Sequence, residues 1–161
     1  MDQAKLTEVL DKIPSIISVV TVGRGGVENG LTISWLSQVS FEPPQIMIAV
    51  DRLHYSVEML KSTKNFVVNL LKKDQRAAAA LFARPSRTEE NKLDAVDYAE
   101  ASTGASYFTG ALGYLDCEVS AWHEAGDHLL FIGKVVDAQL LHKGDTMTSA
   151  DWVRYRKSHP R

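Results

Sequence analysis

Asn29-Gly30-Leu31-Thr32-Ile33-Ser34-Trp35-Leu36-Ser37-Gln38-Val39-Ser40-Phe41-Glu42-Pro43-Pro44 is the stretch on which the fold of this 161-residue chain turns. Taken at period two, Leu31, Ile33, Trp35, Val39 and Phe41 fall on one face and Thr32, Ser34, Gln38 and Ser40 on the other, the pattern of a half-buried strand. The second face carries short, uncharged hydrogen-bonding groups where a merely solvated face would carry Lys and Glu. Two readings are open: an exposed strand face, where Ser and Thr are common, or a face against which a polar, planar ligand lies.

Upstream, residues 3 to 12 place Leu6, Val9 and Leu10 at helical spacing, with Ile13 continuing it, until Pro14 ends the pattern of a short amphipathic helix. Residues 16 to 22 are a β-branched strand. The glycines of residues 23 to 30 do not make a dinucleotide fingerprint, because Glu28 takes the place of the third glycine and a strand follows instead of a helix. They read as a hairpin connection, Asn29-Gly30 included, that needs positive φ values.

Downstream, residues 45 to 50 are apolar on both faces, as in a strand inside a core, and end at Asp51-Arg52. A helix start follows, with Ser56 as N-cap and Tyr55 and Leu60 spaced as a hydrophobic staple. Its free N–H groups, with Arg52 and the Ser56 hydroxyl nearby, suit a phosphate; an ordinary cap beside a solvated arginine is the plainer alternative. Residues 65 to 71 read as a strand and 75 to 83 as an alanine-rich helix. The charged, turn-rich segment 84 to 105 is expected to include a short helix and to lie over a site or a partner, with Arg87 and Lys92 as candidate anion contacts.

Two long β-patterned runs, 114 to 122 and 128 to 141, are joined by a Gly126-Asp127 turn, and Gly133 inside the second predicts a bulge or a close backbone approach. His128 stands where the chain leaves that turn, as a capping or surface residue or as a proton relay. Thr148 and Asp151 are spaced like a capping box ahead of a terminal helix whose Arg154, Arg156, Lys157 and Arg161 make it basic. Six or seven strands with three or four short helices, and long adjacent strands, favour an antiparallel barrel over a doubly wound sheet.

Hydrophobic residues make up 45% of the chain and the net charge is −2, which suits one globular domain, 1 to 161, and gives no electrostatic case for nucleic acid or an acidic membrane surface. No apolar run reaches transmembrane length, and charged residues interrupt the N-terminus where a signal peptide needs an apolar core, so a cytoplasmic location is expected. The single cysteine, Cys117, sits in an alternating apolar run and reads as a buried structural thiol. The five histidines show no metal-ligand spacing, and neither a nucleophile elbow nor a phosphate loop occurs. A polar ligand-facing strand without a catalytic side-chain cluster suggests that an organic cofactor does the chemistry.

The ordered series Asn29-Gly30-Leu31-Thr32-Ile33-Ser34-Trp35, Val39-Ser40-Phe41-Glu42-Pro43-Pro44, Val50-Asp51-Arg52 with Tyr55-Ser56, Asn65-Phe66-Val67-Val68-Asn69-Leu70, and Gly126-Asp127-His128 with Phe131-Ile132-Gly133-Lys134-Val135 resembles the flavin reductase-like family of FMN-binding split barrels, in its flavoredoxin-like branch. The resemblance covers residues 5 to 142. It implies a mainly β, antiparallel Greek-key split barrel that binds FMN near the interface of a homodimer. It also implies an oxidoreductase that passes electrons from NAD(P)H or a redox protein through FMN to a second acceptor, the rival being a flavin-binding or electron-carrier module without turnover. Asn29, Thr32, Ser34 and Trp35 would line the flavin ring and ribityl chain, Arg52, Tyr55 and Ser56 would hold the phosphate, and Gln38, Asp51 and Lys92 are further cofactor contacts. His128 is the candidate for proton relay or nicotinamide contact. Trp35 stands where many NAD(P)H:flavin oxidoreductases of the superfamily carry a smaller residue, so it bears on which electron donor reaches the flavin.

Overall fold

Strands rich in Val, Ile and aromatic residues fill one antiparallel sheet in the computed structural model, which describes residues 1–85 and 91–158. Its seven strands are β1 (Ser18–Arg24), β2 (Val27–Ile33), β3 (Leu36–Phe41), β4 (Pro44–Asp51), β5 (Asn65–Leu70), β8 (Gly113–Ala125) and β9 (His128–Leu140), in the order β2-β1-β5-β8-β9-β4-β3. Between β5 and β8, β6 (Tyr98–Glu100) and β7 (Ser106–Phe108) form a separate two-stranded ribbon. The helices are α1 (Gln3–Leu10), α2 (Ser56–Thr63), α3 (Arg76–Phe82) and α4 (Ser149–Ser158), with a 3-10 turn at Lys92–Ala95 inside the segment expected to hold a short helix. None of these helices is long and apolar enough to cross a membrane.

The opening stretch is two strands, not one. β2 and β3 follow each other in sequence yet occupy opposite edges of the sheet, and Ser34-Trp35 carries the chain across. There the Ala49 N–H of β4 donates to the Trp35 carbonyl at 3.0 Å, which extends the β3–β4 ladder by one residue to the end of the crossing. The crossing breaks the alternation, and a bulge between Gln38 and Ser40 breaks it again. Leu31 and Ile33 are therefore buried as expected, whereas Trp35 is 58% and Phe41 87% exposed, and Val39 also faces outward.

The barrel interior is packed by Val20, Val22, Leu31, Ile48, Phe66 and Phe131 among others. A second cluster, including Val19, Leu71, Ala79, Phe82 and Phe108, seats α3 on the outside of the barrel wall. Asn29-Gly30 lies inside β2 and not in the hairpin, whose positive φ values belong to Gly25 and Gly26, with Gly23 just before them. Gly30 has a packing reason instead: a Cβ there would stand 2.5 Å from two carbons of the Phe82 ring. Among the described residues the predicted amphipathic face of α1 is little used: Leu6 is half-buried, while Val9, Leu10 and, beyond the helix, Ile13 are exposed.

Other expectations hold. The Gly126-Asp127 turn joins β8 to β9. Thr148 and Asp151 form the capping box: the Thr148 N–H and hydroxyl donate to Asp151 Oδ2 at 3.0 and 2.8 Å. Cys117 is buried and burial drives its thiol pKa up, so it is inert. Arg87 lies outside the described residues, as do the side chains of Arg154, Arg156, Lys157 and Arg161.

The bond between buried Tyr114 and exposed Asp137 gives a pH test. The Tyr114 hydroxyl donates to Asp137 Oδ2 at 2.7 Å, and that bond, then burial, pushes its pKa up to about 12. A tyrosine that titrates near 10 when unfolded and near 12 when folded stabilises fully below the lower value and loses that contribution as pH rises through the higher one. Denaturation midpoints measured between about pH 9 and 12 should fall with pH in the wild type, and Tyr114→Phe should flatten that part of the curve.

Candidate functional site

The strand crossing at Ser34-Trp35 leaves a cleft of about 250 Å³ at the closing seam of the barrel. Leu31, Ile33, Ala49, Val50, Phe82 and Ala83 supply its apolar walls, while Thr32, Ser34, Asp51, His54 and His128 supply polar groups and Trp35 stands at the rim. Each element arrives there for a reason already given. β2 ends at the crossing, β4 ends at Asp51 opposite His128 at the start of β9, and α3 ends where Phe82 packs over Gly30.

The Trp35 and His128 rings stand 4.7 Å apart, tilted by 49°. His128 Nδ1 is 2.6 Å from Asp127 Oδ1, and this hydrogen bond, then the charge of His128, holds the Asp127 carboxyl below the usual carboxylate range. The next turn is tied to the same place. The Arg52 N–H donates to the Asp127 carbonyl at 3.0 Å, and its guanidinium donates to the Gly126 carbonyl. Asp51 Oδ1 accepts from the Leu53 N–H at 2.8 Å and so shapes the approach to α2.

Ser56 does not cap α2; it is the first helical residue, and Tyr55 occupies the cap position without a side-chain cap bond. Ser56 is buried, its N–H donates to His54 Nδ1 at 3.1 Å, and its hydroxyl accepts from Asn29 Nδ2 at 2.9 Å. The hydroxyl proton remains as a donor. The helix start is thus partly satisfied from within the protein, with Asn29 and His54 on either side of Ser56.

Of the residues expected from the sequence, Thr32, Ser34, Trp35, Asp51 and His128 come together in the cleft. Thr32 contributes acceptor lone pairs only, because its hydroxyl donates to the Ala79 carbonyl at 2.7 Å. Asn29 and Ser56 sit just behind the cleft, and Arg52 and the exposed Tyr55 sit beside it at the start of α2. Gln38 is not part of the cleft: it is exposed on the edge strand β3 and donates to the Ser40 carbonyl at 3.2 Å. Lys92 is buried, its Nζ donating to the Arg84 carbonyl at 2.5 Å, and its charge is felt at His54.

His54, Phe82 and Ala83 are site residues that the sequence reading missed. The signal for His54 was present, as a histidine two residues ahead of a helix start, whereas nothing in the alanine-rich α3 segment marks its end as a cleft wall. Among the described residues no three His, Cys, Asp or Glu side chains gather to hold a metal ion. The walls suit a flat aromatic ring and the polar groups suit its carbonyl and ring-nitrogen edge.

An antiparallel split barrel with such a cleft at its closing seam defines a class of cofactor-binding barrels. Residues 10–157 match the family model described as the flavin reductase like domain, and the chain belongs to that family. It is 31% identical over 144 residues to an actinorhodin polyketide dimerase from Streptomyces coelicolor, covering 89% of this chain and 80% of that one. The solved structure of the NADH:FAD oxidoreductase SgcE6 of Streptomyces globisporus C-1027 superposes with a TM-score of 0.84 at 30% identity, covering 91% of this chain and 87% of that one. That of BorF, the flavin reductase component of a bacterial two-component tryptophan halogenase, gives 0.83 at 27% identity, covering 94% and 95%.

Proposed function

We propose that this chain is a flavin-dependent oxidoreductase that draws electrons from a reduced nicotinamide and delivers them, through flavin, to a second acceptor. The observation that carries this reading is the cleft at the strand crossing, with apolar walls for a planar ring, a polar edge, and the Trp35–His128 ring pair at its mouth. A flavin bound there supplies the redox chemistry, taking up a hydride and giving up electrons. The protein's own share is to orient the ring between Ser34, Asp51 and His128, to exclude water with Leu31, Val50 and Phe82, and to hold a proton at His128.

In this reading Arg52, Tyr55 and Ser56 bind the flavin phosphate, with Asn29 fixing the Ser56 hydroxyl and Lys92 adding positive charge nearby. FMN is the proposed form. The SgcE6 likeness favours FAD as a second reading and NADH as the donor. A redox protein remains the alternative donor. The likeness to BorF supports a partner enzyme as the acceptor of reduced flavin.

A homodimer is part of the proposal, because a 250 Å³ cleft is below the roughly 300–1,000 Å³ usual for ligand pockets. A second copy would extend it. Trp35, Leu53 and Tyr55 at 58%, 90% and 58% exposure are apolar surface available for that contact. The buried thiol of Cys117 is compatible with the cytoplasmic location proposed from the sequence.

An anaerobic titration of the flavin-loaded protein with NADH should bleach the flavin absorbance stoichiometrically, and steady-state NADH oxidation should follow when oxygen is readmitted. Flavin that binds but stays yellow under excess NADH and NADPH would contradict the nicotinamide donor and favour a redox-protein donor or the carrier module without turnover.

A further inference from the structure

Two histidines line the cleft, and their partners set their tautomers in opposite senses. The Ser56 N–H can only donate, and it points at Nδ1 of His54 at 3.1 Å. Nδ1 must therefore be bare, and the proton of the neutral ring sits on Nε2. At His128 the partner is the ionised Asp127 carboxylate, which can only accept, 2.6 Å from Nδ1. Nδ1 carries the proton there, and Nε2 of the neutral ring is bare. Neither Nε2 has a hydrogen-bond partner among the described residues.

We propose that His54 is a flavin-binding residue that acts as a fixed hydrogen-bond donor, its Nε2–H taking a carbonyl oxygen or ring nitrogen of the isoalloxazine, while His128 opposite it is the acceptor that exchanges a proton. The proposal rests on the reading of this cleft as a flavin site. It concerns the ring that FMN and FAD share, so it does not depend on which of them binds.

The division of labour follows from what protonation would do to each ring. A proton on Nδ1 of His54 would set two donors against each other and break the bond that holds the first residue of α2. The surroundings act in the same direction: burial first, then the charge of Lys92, lower the pKa of His54, with Asp51 acting against them. His54 therefore stays neutral and stays a donor, which fits positioning and not acid–base exchange. His128 has the reverse arrangement. Its charged form keeps the Asp127 bond and gains a donor at Nε2, so it can pick up and release a proton without disturbing the fold.

Long-range proton–nitrogen NMR spectra of the uniformly labelled, flavin-free protein read both tautomers directly. The expected result is the Nε2–H form at His54 and the Nδ1–H form at His128 near neutral pH. His54→Gln and His54→Phe then test the donor in titrations with FMN and with riboflavin, followed by fluorescence quenching. The glutamine offers an oxygen to the Ser56 N–H and an N–H to the cleft, so it should keep affinity within about threefold. The phenylalanine fills the space without either group and should weaken binding about tenfold. An Nδ1–H tautomer at His54, or unchanged affinity in a folded His54→Phe, overturns the proposal, and the spectra decide it even if that variant does not fold. Wild-type protein that binds no flavin overturns the flavin reading itself, and this failure is distinguishable because the tautomers are read without ligand.

Discussion

Gly133→Ala is expected to destabilise the barrel by about 3 kcal/mol, a fall in the melting midpoint of about 9 °C for a chain of this size. Gly133 sits in β9 between Ile46 of β4 and Val119 of β8, beside the point where the β8–β9 register slips. Its backbone is not in the left-handed region, so the cost is steric. A Cβ there would meet the Phe66 ring, with Cε1 at 2.6 Å, and the Cys117 Cβ at 2.9 Å. Both neighbours are completely buried in the main core cluster, so neither has free space to move into. Phe66→Leu alone should also destabilise, but Gly133→Ala combined with Phe66→Leu should cost less than the sum of the two, because the smaller side chain yields the space that the methyl needs. Chemical denaturation of the four proteins measures this coupling. Strict additivity would mean that the two residues do not compete for the same volume.

The same residue shows what a linear reading of the chain can supply. A lone glycine inside a strand pattern signals a bulge or a close approach, and here both occur, because a single missing side chain is a local fact. The capping box of Thr148 and Asp151 and the inert Cys117 were legible for the same reason. The crossing at Ser34-Trp35 was not. On paper only Leu36 and Ser37 interrupt period two beside it, and it is the strand order, with β2 and β3 at opposite edges of the sheet, that reveals the change of edge. Trp35 and Phe41 were accordingly placed in a core they do not enter. Ser56 was read as a cap from its neighbours in sequence, whereas its bonds to His54 and Asn29 depend on β2 lying beside the start of α2. Gln38, on the same face as Thr32 and Ser34 by alternation and a further contact by the resemblance, lies beyond the crossing and is exposed on β3, outside the cleft. The family resemblance was legible from short, ordered segments, and Thr32, Ser34, Trp35, Asp51 and His128, which it named, line one cleft. It was silent on Ala83 and Phe82, because what matters there is where a helix ends and not which residues end it.

Ala83 offers the sharpest test of where the ligand lies. It caps the C-terminus of α3, is half-buried, and forms part of the cleft wall without making a side-chain bond that the fold needs. A larger side chain at this position can lean partly into solvent, so the barrel should tolerate it, yet an indole would occupy the space assigned to the ring. Ala83→Trp should therefore unfold close to the wild-type midpoint while its flavin affinity falls at least about tenfold, or about 1.4 kcal/mol. The most direct measurement is the equilibrium dissociation constant for FMN, and in parallel for FAD, of wild-type protein and folded Ala83→Trp by quenching of flavin fluorescence. The site described here predicts saturable binding to the wild type and its loss in the variant; equal affinity in both proteins, or no binding by the wild type, would contradict it.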